Sequence, residues 1–217
     1  MQIKAWSLGL LVLGVAVTGV QAGGDVPPYR YSMLVNLAAA QCLVSPELRR
    51  LRQCQEGFTL TISGLRAETS RGSVLQGCPS AAEMIPPLQL RILERIMPDQ
   101  VLRDNYWYKY GTCTGLPLRQ YYRKITQNAS RLKVPTEFST DRPVLVNLAQ
   151  IKAKFAELNP DLVDEAIQLH CAGVAGLSAP VLTYARVCYT PAGQYAPCIG
   201  PGVTAVCPSR FIIYGRP

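Results

Sequence analysis

The segment Asn105-Tyr-Trp-Tyr-Lys-Tyr-Gly-Thr-Cys113 gathers the residues of this chain best suited to meet a substrate. Lys109 offers a cation for a phosphate. Tyr106 and Tyr110 offer aromatic faces, and Asn105 offers a neutral amide. If residues 105–110 are helical, Asn105, Tyr106, Lys109 and Tyr110 share one side, because positions four apart are neighbours on a helix. The segment lacks a group that exchanges protons near neutral pH. A tyrosine ordinarily titrates at about 10 and a lysine at about 10.4, while asparagine does not titrate. The only histidine of the chain is His170, beside Cys171 and distant in sequence. It reads as a strand or surface residue, and one histidine cannot be both general base and general acid.

The elements that must position this segment follow from the rest of the chain. Residues 1–22 read as a secretory signal peptide. Lys4 gives a basic start, Ala5 to Val20 is an apolar run, and Val20-Gln-Ala22 is a small-x-small cleavage site. The run is too short and Gly-rich for a good membrane span, and no later segment approaches the roughly 20 apolar residues a span needs. Residues 23–217 are then one exported domain, periplasmic or extracellular. Cys42, Cys54, Cys78, Cys113, Cys171, Cys188, Cys198 and Cys207 all lie beyond the leader, an even number in an exported chain, which predicts disulfides. With no Cys-x-x-Cys pair and a single histidine, zinc-ligand spacing is absent, and neither a metal nor a cofactor is expected. The net charge is +8, or +7 once Lys4 leaves with the leader. Such a balance suits a polyanion such as RNA, or simply a soluble basic surface.

Tyr31–Leu37 reads as a buried strand, and the alternation of Phe58–Leu65 as a half-buried one. Gly64 either ends the second strand or lets the backbone approach something closely. Ser80-Ala-Ala-Glu83 fits a capping box, and Leu88–Met97 has amphipathic helix spacing up to Pro98. A helix entered at Pro117 and another over Leu148–Leu158, ended by Asn159-Pro160, follow. From Ala166 onward the chain is β-like again, in AIQLHC, VLTYARVCYT and FIIYG. Strands at both ends with helices between them predict an α+β domain around one antiparallel sheet. Asn128-Ala-Ser130 matches a glycosylation sequon.

These motifs, in this order, resemble the T2-type ribonucleases, secreted enzymes that cleave RNA without base specificity. YSMLVNLAAAQC is similar to the family's first strand, which usually runs Leu-Ser-Trp-x-Pro before a cysteine. FTLTISGLRAE is similar to the first active-site segment, x-x-Ile-His-Gly-Leu-Trp-Pro. IMPDQVLRDNYWYKYGTC is similar to the Met-Pro approach and the second segment, His-Glu-Trp-x-Lys-His-Gly-Thr-Cys. The resemblance spans nearly all of residues 23–217. It implies a T2-like sheet packed with helices and the disulfides Cys42–Cys54, Cys78–Cys113, Cys171–Cys207 and Cys188–Cys198.

The resemblance also locates the chemistry. In the family, one group takes the proton of the ribose 2′-hydroxyl, another protonates the departing 5′-oxygen, and a cation steadies the phosphate. Histidine suits both proton tasks. The family's first histidine falls on Ser63, its second on Asn105, its glutamate on Tyr106 and its third histidine on Tyr110, while its lysine is kept as Lys109. The Trp and Pro of the family's first strand fall on Leu37 and Ala39, and its Trp-Pro after the first segment on Arg66-Ala67, so no aromatic base platform is implied there. The expectation is a catalytically inactive T2-like protein that acts by binding RNA, another polyanion or a protein partner, with Lys109 as the phosphate-binding residue. The alternative is a weak endoribonuclease with a rearranged site that draws on Glu68, Asp104 or His170. On the groove itself two expectations compete. Either Tyr106 and Tyr110 stack on bases beside a phosphate on Lys109, or two bulky rings fill the cleft.

Overall fold

The computed structural model describes residues 28–140, 142–200 and 206–214. The expected leader lies outside the described residues. The strands are β1 (Arg30–Leu37), β2 (Leu60–Glu68), β3 (Val144–Asn147), β4 (Ile167–Ala172), β5 (Val181–Tyr189) and β6 (Arg210–Ile213). The helices are α1 (Ala38–Val44), α2 (Arg52–Gln55), α3 (Pro87–Leu93), α4 (Gln100–Lys109), α5 (Leu118–Arg131) and α6 (Leu148–Leu158). The architecture is α+β, as expected.

Strand β5 is buried along its whole length. It pairs antiparallel with β1 and β4 over shared residues, so these two flank it on opposite edges. Beyond the end of β1, β5 meets β6 in parallel at Val181 and Ile212, and β6 in turn pairs antiparallel with β3. On the other side β1 pairs with β2, with a register shift between Leu34 and Val35. Successive side chains of a strand point to opposite faces. Met33, Val35 and Leu37 therefore enter the apolar core with Leu65 and Ala67, while Ser32 and Asn36 share the other face with Arg66 and Glu68.

Helix α5 covers the apolar face. It buries Leu118, Tyr121, Tyr122 and Ile125, the spacing of one helical stripe. Asn128, one turn beyond Ile125, is only 3% exposed, so the sequon it heads is closed to modification in the folded chain. Helix α6 matches its expected bounds. Asn147 caps it by accepting the N–H groups of Ala149 and Gln150 at 2.9 and 3.4 Å.

The structure departs from the expected elements at several points. Ser80–Glu83 caps no helix of its own, because α3 starts at Pro87, where a proline ring suits the first helical turn. Glu83 instead accepts the N–H of Leu118 at 3.2 Å and so caps α5. Helix α3 is also shorter than its apolar pattern, ending at Leu93, and Leu88 and Ile92 are exposed. Strand β2 runs on past Gly64 to Glu68, and β3 carries no strong pattern and was not expected.

The structure pairs Cys42 with Cys54, Cys78 with Cys113, Cys171 with Cys207 and Cys188 with Cys198. The second bond ties the loop before α3 to the 3-10 turn Gly111–Thr114 that follows α4. Among the described residues no helix is long and apolar enough to cross a membrane.

Candidate functional site

Helix α4 crosses the edge of β2 and presents two unlike faces. Inward, Trp107 is buried with its ring centroid 4.9 Å from that of Tyr121 and 6.5 Å from that of Tyr122. Close approach requires Gly111, since a Cβ there would run into the Trp107 ring and lie 3.0 Å from Tyr121 Cζ. Outward, Asn105, Tyr106, Lys109 and Tyr110 line one groove, as a helical reading of this segment requires. The groove holds about 270 Å³, and its opposite wall is Asn36 and Ser63.

That wall is built by the irregularity in β2. Leu34 faces Gly64 and Val35 faces Ile62, so Ser63 is the extra residue of a bulge. Asn36 Nδ2 donates to Ser63 Oγ at 2.9 Å, and Ser63 Oγ donates back to Asn36 Oδ1 at 3.2 Å. Asn36 also reaches Thr61 Oγ1 at 3.4 Å, and that hydroxyl donates to Gln53 Oε1 at 3.2 Å. The wall is a chain of neutral hydrogen-bonding groups.

The floor holds two residues without a sequence-level signal. Asp99 accepts the backbone N–H groups of Arg52 and Gln53 at 2.8 and 3.1 Å and so caps α2. Arg103 donates to the Met97 carbonyl at 2.6 Å. Asp99 immediately precedes α4, where an acidic residue reads as that helix's own cap, but its carboxylate turns to α2 instead. It is the groove's carboxylate, and both of its oxygens are engaged.

Tyr106 lies against Gly64, whose φ is 150°. A Cβ at Gly64 would collide with the Tyr106 ring and stand 2.6 Å from the Tyr121 hydroxyl. The glycine therefore serves a close approach and does not end the strand. The Tyr106 ring is partly exposed in the groove, but its hydroxyl is buried without a hydrogen-bond partner. Burial pushes this phenol well above its ordinary value, against a smaller pull downward from Arg66. It is a poor proton donor or acceptor at neutral pH. Tyr110 sits 4.8 Å from Tyr106, ring to ring, and Lys109 Nζ is 5.1 Å from the Tyr110 ring centroid. Lys109 is exposed. Tyr106 thus fills the floor of the cleft, and open space remains above it.

The three titratable residues considered for a rearranged site stand elsewhere. Glu68 is fully buried. It accepts from Arg186 Nη2 at 2.7 Å and from the Ser32 hydroxyl. Asp104 faces a separate cavity beside Tyr108 and Tyr122. His170 is fully buried and stacks on Tyr184, with centroids 4.5 Å apart and planes 11° apart. None of the three lines the groove. Leu37, Ala39, Arg66 and Ala67 are all buried, so these positions present no exposed ring.

A single sheet flanked by helices, the disulfide frame and a groove between β2 and α4 together define a T2-type ribonuclease fold. No family model matches the sequence. Its sequence is similar to a ribonuclease of Aeromonas hydrophila, at 25% identity over 146 residues. The match covers 63% of this chain and 65% of the relative's length. A variant of RNase MC1 in complex with 5′-UMP superposes with a TM-score of 0.70 at 16% identity, over 87% of this chain and 100% of that one. The self-incompatibility-associated SF11-RNase of Nicotiana alata superposes with a TM-score of 0.64 at 16% identity, over 87% and 100% of the two chains. RNase MC1 from bitter gourd seeds gives 0.65 at 16% identity, over 85% and 99%.

Proposed function

We propose that this protein is an exported T2-type ribonuclease relative that binds single-stranded RNA in the groove between β2 and α4 without cleaving it. The observation that carries this reading is the make-up of the groove. The positions that match the family's proton-transfer residues hold Ser63, Asn105, Tyr106 and Tyr110, and the cation Lys109 stands exposed beside them. Ser63 and Asn105 do not exchange protons near neutral pH, and burial pushes the Tyr106 phenol further from it, so the imidazole pair the family uses has no counterpart in the groove. General acid–base groups each contribute a factor of roughly 10²–10⁴. Lys109 can hold a phosphate, and the exposed ring edges can stack on a base. Two RNase MC1 variants that share this fold were solved in complex with 5′-UMP and with 5′-GMP, which supports a nucleotide as the occupant. The four disulfides suit an oxidising compartment outside the cytosol, and residues 1–22 read as the leader that takes the chain there.

The test is cleavage and binding of single-stranded RNA by the oxidised protein from about pH 4 to 8, the range in which family-type histidines titrate. The expected result is no cleavage, with saturable binding by fluorescence anisotropy that weakens in Lys109→Gln. A variant carrying Ser63→His, Asn105→His, Tyr106→Glu and Tyr110→His should gain cleavage where it keeps the parent's circular dichroism. Cleavage that follows the main protein peak through purification, with its own pH profile, would overturn the inactive reading. Absence of RNA binding would overturn the binding one.

A further inference from the structure

A second cationic feature lies outside the groove, where α5 meets the turn that follows β5. Lys124 and Arg131 stand two helical turns apart on α5, with Asn128 between them. Both cations reach over to that turn. Lys124 Nζ donates to the Pro191 carbonyl at 2.7 Å, and Arg131 Nη1 donates to the Gly193 carbonyl at 3.0 Å. Together with Asn128 and Gly193 they line a notch of about 310 Å³.

Three properties set this notch apart from an ordinary basic surface. Its lining contains no carboxylate, and neither cation takes part in an ion pair among the described residues. An ammonium has three donors and a guanidinium five, so each cation keeps donors to spare after its bond to the turn. Asn128, only 3% exposed, also lines the notch, and its side-chain Nδ2 is buried with no hydrogen-bond partner. A buried donor left unmade is costly, so a turn of the amide toward a bound acceptor is favoured.

The frame around the notch is rigid. Gly193 takes a φ of +91°, its N–H donates to Thr190 O at 2.9 Å, and the Cys188–Cys198 disulfide closes the loop behind it. Arg131 rests over the Tyr195 ring and Lys124 over the Tyr31 ring, at 5.6 and 5.5 Å. Both long side chains are thereby held in place before any ligand arrives. Tyr31 lies near the start of β1 and Asn36 near its end, so the notch and the groove are separated by about 17 Å of strand.

We infer that this notch is a phosphate-group-binding site, distinct from the groove, in which Lys124 and Arg131 neutralise the anion and the Asn128 amide, turned toward it, donates to one of its oxygens. A free phosphate or a backbone phosphate of RNA has the required chemistry. Only the second source rests on the RNA-binding reading.

The experiment is a titration of the oxidised, ¹⁵N-labelled protein with inorganic phosphate at constant ionic strength, followed by two-dimensional NMR. The Asn128 side-chain amide and the Gly193 backbone amide should shift saturably, and equal additions of chloride should not reproduce the shift. In the double variant Lys124→Gln/Arg131→Gln, which keeps a donor for each turn carbonyl and removes the charge, the shifts should vanish while the rest of the spectrum stays in place. Lys109→Gln should leave them intact. No saturable shift with phosphate, or the same shift with chloride, would overturn the site. A second arm repeats the titration with a single-stranded RNA of about twelve nucleotides. If RNA phosphates use the notch, the same amides shift and the double variant flattens the salt dependence of binding by about 0.7 in log–log slope, the value for one phosphate no longer neutralised. If phosphate shifts the amides and RNA does not, the site stands as one for free phosphate. RNA that binds nowhere would defeat the groove reading and leave the phosphate arm decisive for the notch.

Discussion

The two faces of α4 differ in what holds them. Inward, Trp107 packs on Tyr121 and Tyr122, with Gly111 and the Cys78–Cys113 bond fixing the turn behind it. Each group there has a packing reason for its identity. Outward, Asn105 and Lys109 are exposed, Tyr106 and Tyr110 contact each other, and Tyr106 alone lies against Gly64 of the strand. Architecture therefore constrains the first face throughout, and the second only where Tyr106 presses on Gly64. The lesson is that one helix can serve packing on one face and leave its other face free to vary.

The largest expected effect tests the inward face. Trp107→Ala should cost about 3–5 kcal/mol of stability, because it removes a large buried ring and leaves a cavity among aromatics. Asn105→Ala should stay within about 0.5 kcal/mol of the parent, as exposed positions do. Urea unfolding of the two variants under oxidising conditions checks the contrast, and equal losses would erase it. A smaller effect is expected where the faces meet. Gly64→Ala should cost about 1–3 kcal/mol, since its Cβ would meet both the Tyr106 ring and the Tyr121 hydroxyl. Adding Tyr106→Ala should recover part of that loss and not all of it, because the clash with Tyr121 remains. A double-mutant cycle measures the shared part, and a cycle with no coupling would show that Tyr106 does not press on the strand.

The same division explains what could be read from the sequence. Helix α6 was legible because its apolar period, its Asn147 cap and its Asn159-Pro160 stop all agree locally. Strands β1 and β5 were legible as long β-rich runs. The Ser80–Glu83 pattern misled because capping-box spacing is local, whereas Glu83 caps a helix 35 residues away. Strand β3 was missed because its four residues gain their pairing only from β6, near the other end of the chain. Of the groove, the shared face of residues 105–110 followed from helical spacing alone. Asp99 and Arg103 did not, since Asp99 bonds a backbone N–H 47 residues away and Arg103 a carbonyl six residues back, and no spacing rule reports either. The notch beside α5 was hidden for a like reason, as its cations converge on a turn some 60 residues later in the chain.

The smallest effect at neutral pH is expected from Tyr106→Phe. The Tyr106 hydroxyl is buried without a hydrogen-bond partner, so deleting it should be neutral or slightly stabilising near pH 7. The consequence appears in alkali. Burial raises the phenols of Tyr106, Tyr121, Tyr122 and Tyr189 above their ordinary value. The folded state thus favours the neutral form of each. Their contribution to stability is fully present below about pH 10, the unfolded value, and is lost as pH rises through the raised folded values. Each such tyrosine should cost about 1.4 kcal/mol per pH unit over that window. Tyr106→Phe removes one of them, so its stability should fall less steeply above pH 10 than the parent's. Absorbance at 295 nm with circular dichroism, recorded against pH for both proteins, checks this. If Tyr106 ionises near its ordinary value while the chain is still folded, the hydroxyl is open to water, and the groove runs deeper than its floor of packed rings implies.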